Sequence, residues 1–310
     1  MAITDSIIGF RRSLKRKNYS RYTVRDYLST LRRFVLWLDC PIEKVDRKKI
    51  LAFIDTLLNA RLSPKTINCY LDSIRSFYRY LQEEEQIEME NPVKSGYLLR
   101  LPKPLPRFLR DEEIGRLFDV INHARDRAMF FLMLRSGLRV EETAGLKLDD
   151  LDLRRGTIIV RYGKGAKGRM VYISTDAHDA VMEYLRSRPP GRAKGLFLVD
   201  KGALKGKPIS VRGIQKRLEF YARKARIRVS CHELRHTMAT QLLNAGADLT
   251  VIQDLLGHSR VATTQRYCRV SNLKVQKDYY RAMEIVVQRT SPEPTTQTSP
   301  SGACPRPPGV

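Results

Sequence analysis

Four stretches of this 310-residue chain carry side chains suited to handling an anionic substrate. "SGLRVEETAGL" places Arg139 just after Gly137, and "YGKGAKGR" puts Lys164 in a glycine-rich turn. "CHELRH" sets His232 and Arg235 three residues apart, and "LLGHSRVATTQRYCRV" sets His258 nine residues before Tyr267. Arginine presents a planar fork of donors that fits paired oxygens. Histidine gives or takes a proton near neutrality, and a tyrosine hydroxyl is a nucleophile once its proton is removed. Each motif alone has a plainer use. Arg139 suits a surface ion pair, the GKGAKG turn an ordinary hairpin, and His258 a helix end. Tyr267 is one of 14 tyrosines. A zinc site from His232, His236 and His258 with Cys231 or Cys268 is a further option, but the spacing matches no common zinc pattern.

The charge balance narrows the choice. Lys and Arg number 57 against 33 Asp and Glu, a formal net charge of +24. Such an excess implies a polyanionic partner, either nucleic acid or an anionic membrane. No apolar run approaches the ~18 residues of a membrane span. The N-terminal basic residues follow the apolar stretch instead of preceding it, the reverse of a secretory signal. Nucleic acid is therefore the expected partner, with no membrane. The five cysteines show no CxxC or disulfide framework, which suits a reducing, intracellular setting.

These residues need elements to hold them. Residues 1–98 read as helical. "TVRDYLSTLRRFVLWL" spaces Val24, Tyr27, Leu28, Leu31, Phe34, Val35 and Leu38 along one helix face. "SPKTINCYLDSIRSFYRYL" does the same with Ile67, Tyr70, Leu71, Ile74, Phe77, Tyr78 and Leu81, behind a Ser63 cap and Pro64. The Arg11–Lys17 basic cluster suits either a solvated face or polyanion contact. The proline-rich stretch at 99–110 reads as a stiff linker, after which Asp111 is expected to cap a new helix. "DRAMFFLML" reads as a helix stopped by Gly137. "TIIVRY" and "RMVYI" read as strands of a hairpin around GKGAKG, with further helices from Val211 to about Val286. His232 and Arg235 then share a helix face. Residues 290–310, with six prolines, are expected to be disordered.

In order and spacing, the motifs Arg139, Lys164, His232–Arg235, His258 and Tyr267 resemble those of the tyrosine recombinases, or phage-type integrases. The layout is closest to the Xer-type site-specific recombinases, with nothing like an arm-binding domain ahead of residue 5. The resemblance implies a helical core DNA-binding domain (1–98), a linker (99–110), a mixed, mostly α (α+β) catalytic domain (111–289) and the tail (290–310). It implies that Tyr267 is the nucleophile and that Arg139, Lys164, His232, Arg235 and His258 surround the scissile phosphate, with Glu142 bracing the site or forming a simple helix ion pair. Lys167 rivals Lys164.

The chemistry agrees with that assignment. Two arginine forks hold non-bridging oxygens, histidines donate or accept protons, and a phosphotyrosine keeps the bond energy so that religation needs no ATP. No metal or cofactor is expected. The expected activity is site-specific recombination through a 3′-phosphotyrosine and a Holliday junction, for integration, excision or resolution. It would act on double-stranded DNA clamped by both domains, as a homotetramer or a heterotetramer with a related recombinase, in the cytoplasm at the nucleoid. The segment "SNLKVQKDYYRAMEIVVQ" suits docking on a neighbouring protomer or packing on its own domain. Two alternatives share the fold: a type IB topoisomerase-like enzyme and a non-catalytic DNA-binding protein.

Overall fold

The computed structural model describes residues 3–102, 106–161, 168–190, 193–257, 279–280 and 283–284. The chain divides into two compact units, 1–104 and 105–310. Among the described residues no helix is long and apolar enough to cross a membrane.

Among the described residues the first unit contains four α-helices: α1 (Ile3–Arg16), α2 (Arg21–Trp37), α3 (Arg47–Asn59) and α4 (Pro64–Glu83). Three have side-chain N-caps: Ser20, Asp46 and Ser63 accept from the amides of Thr23, Lys49 and Thr66. These caps satisfy backbone donors that the first turn leaves unpaired. Pro64 takes the first helical position, as the sequence predicts. The apolar faces meet in one core, where Leu31, Phe34, Phe53, Ile67, Leu71, Phe77 and Leu81 are buried. Phe34 and Phe53 pack edge to face at 5.0 Å. Tyr27, Leu28 and Leu38, expected on the α2 face, are half-buried against it, and Val35, expected there too, is half-buried. Arg11, Arg12, Lys15 and Arg16 lie on the exposed side of α1, whose other side buries Phe10 and Leu14.

The second unit is built around α6 (Ala124–Arg135), whose stretch from Ala128 to Leu134 is apolar on every side. Every residue from Ala128 to Leu134 is buried, so neighbours must surround the helix, and α8 (Thr175–Ser187) and α10 (Cys231–Asn244) pack on it. The helix ends at Ser136, and Gly137 turns the chain at φ +64. A Cβ at Gly137 would lie 3.0 Å from Met238 Sδ, so position 137 favours glycine for conformation and for space. Strands β1 (Leu151–Asp152), β2 (Thr157–Val160) and β3 (Arg169–Tyr172) form a three-stranded antiparallel sheet. The β2–β3 hairpin has the expected strands, with Ile158 opposite Val171 and both buried, while β1 was not foreseen.

Among the described residues the remaining α-helices are α5 (Asp111–Asp119), α7 (Val140–Gly145), α9 (Val211–Lys224) and α11 (Leu249–Leu256). A buried cluster ties α6 to α9: Asp126 accepts from Arg125, from Arg217 at 2.6 Å and from the Tyr221 hydroxyl at 3.1 Å.

One expectation is corrected. Asp111 does not cap α5; it is the first helical residue, and Arg110 occupies the cap position. Glu113 accepts from the Arg110 amide at 3.0 Å, satisfying that donor from inside the helix. The Asp111 carboxylate instead accepts from Gln241 at 2.8 Å, joining α5 to α10. Residues 290–310 lie outside the described residues. Of the segment expected to dock or pack, Tyr279 and Tyr280 are exposed and Met283 is half-buried; Leu273, Val275 and Val286 lie outside the described residues.

Candidate active site

Ser230 and Glu233 fix the start of α10. The serine hydroxyl accepts from the Glu233 amide and the Glu233 carboxylate accepts from the Ser230 amide at 2.6 Å, a reciprocal cap. The first turn then presents His232 outward, and one turn later Arg235 points inward with 1% of its surface exposed. His232 and His236 meet edge to face at 4.3 Å between ring centroids. Cys231 is buried, and burial pushes its thiol up to about 11.

A guanidinium buried this deeply requires acceptors. Arg235 donates Nη1 to the Gly137 carbonyl and Nη2 to the Leu256 carbonyl. Arg139 precedes α7 and donates Nη2 to the same Leu256 carbonyl at 3.3 Å. Arg169, at the start of β3, donates Nε to the Leu255 carbonyl at 2.8 Å. Three arginines from distant segments thus satisfy carbonyls that the end of α11 leaves without helical partners. Gly257 follows at φ +58, and a Cβ there would lie 3.0 Å from Arg169 Cδ.

Glu142 joins the cluster. Its carboxylate accepts from the Arg139 amide and Nη1, each at 2.8 Å, and from Arg169 Nη1 and Nη2, each at 2.7 Å. Arg235 Nη1 lies 4.0 Å away. Burial works to raise the Glu142 pKa. The Arg169 fork and the Arg139 amide, together with the two guanidinium charges, outweigh it and hold the carboxyl down to about 2. Glu142 therefore both pairs with Arg139 along the helix and braces the cluster.

A cavity of about 590 Å³ opens beside these groups, between the start of α7, one face of α9 and the first turns of α10. Arg139, His232 and Arg235 line it, with Arg212 and Gln215 from α9 and Cys231. Three of the six expected catalytic residues therefore meet on one cavity. Lys164, His258 and Tyr267, and the rival Lys167, lie outside the described residues. The sequence reading missed Arg169 and Arg212. Arg169 does end the quoted "YGKGAKGR", but nothing local marks it as inward-facing.

The chain thus has a helical N-terminal unit followed by a mostly helical unit with a small sheet, and the second unit bears a cavity lined by Arg139, His232 and Arg235. The phage integrase family model matches residues 107–274, and the SAM-like N-terminal domain of phage integrases matches residues 7–85. The chain is 38% identical over 281 residues to tyrosine recombinase XerC of Halalkalibacterium halodurans, covering 86% of this chain and 92% of that relative. It is 35% identical to tyrosine recombinase XerA of Thermococcus kodakarensis, covering 91% and 96%. The solved structure of the XerH site-specific recombinase bound to difH substrate, a pre-cleavage complex, matches with a TM-score of 0.65 at 25% identity, covering 81% of this chain and 76% of that one. The chain belongs to the phage integrase family, the tyrosine recombinases.

Proposed function

We propose that this chain is a site-specific DNA recombinase that breaks and rejoins DNA through a 3′-phosphotyrosine at Tyr267. The observation that carries this reading is the convergence of Arg139, His232 and Arg235 on one cavity, with a buried carboxylate fixing Arg139. In this reading the Tyr267 oxygen attacks the scissile phosphorus, and the bond to the 5′-oxygen breaks. Lys164 gives that oxygen its proton, so it leaves as a hydroxyl. Arg139 and Arg235 hold the non-bridging oxygens, where charge accumulates in the transition state. His232 and His258 add donors and exchange the tyrosine proton. Attack by a second strand's 5′-hydroxyl reverses the step and passes the strand across, giving a Holliday junction.

The +24 net charge and the similarity to a XerH site-specific recombinase solved bound to its difH substrate support a duplex DNA substrate. Exchange between two duplexes calls for four subunits, identical or drawn from two related recombinases, acting on nucleoid DNA in the cytoplasm. Boundaries at 98, 110 and 289 separate the core-binding domain, linker, catalytic domain and tail in this proposal.

A nicked duplex carrying the target site tests the reading. Wild type should trap a covalent protein–DNA adduct. Tyr267→Phe should bind the same DNA and trap none. An adduct of normal yield from Tyr267→Phe would remove Tyr267 from the role of nucleophile.

A further inference from the structure

We infer that Arg169 is a positioning residue for strand cleavage: it neutralises Glu142, so that the charge on Arg139 remains available to the scissile phosphate. The inference rests on the function proposed above and deepens it.

Glu142 poses a problem for an anion-binding site. Its carboxylate fixes Arg139 at two points, the amide and Nη1, each at 2.8 Å. That orientation is useful, but a carboxylate at this distance also cancels much of the guanidinium charge. Only 4% of the Glu142 side chain is exposed, so water screens the cancellation weakly. A second cation in contact with the same carboxylate resolves the conflict. Arg169 forks onto both Glu142 oxygens at 2.7 Å each, the strongest geometry for such a pair.

The two arginines are not equivalent. Arg139 lines the cavity and its side chain is 21% exposed. Arg169 is absent from the cavity lining and its side chain is 9% exposed. Arg169 is therefore placed to act on Glu142, and Arg139 to act on substrate. Without the charge of Arg169, Glu142 would draw only on Arg139 and, at 4.0 Å, Arg235, the two arginines that line the cavity. The Arg169 stem packs against Gly257, so a methionine keeps that packing while losing the charge.

The test is the single-turnover rate of adduct formation on a nicked duplex, scaled to folded protein by thermal melts. Arg169→Met should slow the step by about 10²-fold, comparable to losing one donor to developing charge. Arg169→Lys keeps a cation beside Glu142 and should stay within roughly tenfold of wild type, since only the fork is lost. The double variant Arg169→Met/Glu142→Gln should recover at least about tenfold over Arg169→Met, because no carboxylate remains to cancel Arg139. Because the rates are scaled to folded protein, stability restored by the second substitution does not count as recovery. If Arg169→Met does not fold, Arg169→Gln against Arg169→Lys and Arg169→Gln/Glu142→Gln makes the same comparison. A double variant no faster than the neutral single variant, or Arg169→Lys as slow as that variant, overturns the inference. A wild type that forms no adduct overturns the proposed function and this inference with it. A wild-type adduct through Tyr267 with no rescue in the double variant overturns this inference alone.

Discussion

The catalytic unit encloses two carboxylates in arginines, and they differ in how their charges balance. Asp126 is fully buried, and Arg125 and Arg217 both bond to it. Arg125 also reaches Asp200 at 2.7 Å and the Leu198 carbonyl at 2.9 Å. Two cations thus face two carboxylates, and their bonds join α6, α9 and the chain at 198–200. Around Glu142 the ion pairs run from three arginines to one carboxylate, and two of those arginines, Arg139 and Arg235, line a cavity. Arg139 and Arg169 alone already exceed the carboxylate's charge. Matched charges fasten elements together, whereas a surplus beside a cavity is what an anionic ligand completes.

Removing the acid from the matched cluster should give the largest effect. Asp126→Ala removes the fully buried acid that Arg125 and the half-buried Arg217 share, leaving Arg125 only Asp200, and breaking such a buried pair costs about 3–5 kcal/mol of stability. Denaturant titration measures it, and the cleavage rate per folded molecule should stay near wild type. A cleavage defect with little loss of stability would break the distinction between the clusters. The opposite pattern is expected at the surplus cluster. Arg139→Ala should slow adduct formation by about 10²–10³-fold, or roughly 3–4 kcal/mol of barrier. Its stability loss should be smaller, because Glu142 keeps the Arg169 fork. A large stability loss with a normal rate would make Arg139 a fastener of the Asp126 kind.

Acid should loosen the Glu142 cluster over a defined range. Its carboxyl is held below its ordinary value of 4.5, at about 2, so folding is favoured by the ionised form. The stabilisation is whole above about pH 4.5 and is lost as pH falls toward 2. A drop from 4.5 to about 2 corresponds to about 3 kcal/mol. Wild type should therefore exceed Glu142→Gln in stability at neutral pH by up to that amount, and the gap should close through the acid range. Urea midpoints at stepped pH follow it. A gap constant from pH 7 to pH 2 would mean that the glutamate acts through shape alone.

Local signals carried much of the fold. Ser63–Pro64 marks the start of α4, and the paired runs TIIV and RMVY mark the hairpin, because capping and alternation depend on near neighbours. The unbroken apolar run in "DRAMFFLML" marks the central helix. Asp111 misled because aspartate is a strong cap residue, while the decisive partner was Glu113 folding back on Arg110. Recognition of the site rested on motif order, which places Arg139, His232 and Arg235 near one another without giving their partners. Arg169 and Arg217 escaped notice because nothing within a few residues distinguishes an inward arginine among 57 Lys and Arg. Their partners, Glu142 and Asp126, are supplied by the tertiary fold.

The smallest expected effect concerns how the surplus cluster is aimed. Ser230 and Glu233 were within reach of sequence reading, since Ser-x-x-Glu ahead of an apolar run is a helix-start signature. Ser230→Ala removes one acceptor for the Glu233 amide and should cost about 1 kcal/mol, the usual value for such a cap. Its position gives it a second consequence. Ser230, Cys231 and His232 line the cavity on consecutive residues, so fraying of this turn moves His232 before it moves the buried Arg235. Ser230→Ala should therefore slow cleavage severalfold. Ser63→Ala, the equivalent change at the cap of α4, should cost similar stability with less effect on rate, because no residue of α4 lines the cavity. Stability and single-turnover rates measured on both variants give the comparison. Equal rate losses would show that the cap of α10 only holds its helix and has no part in aiming His232.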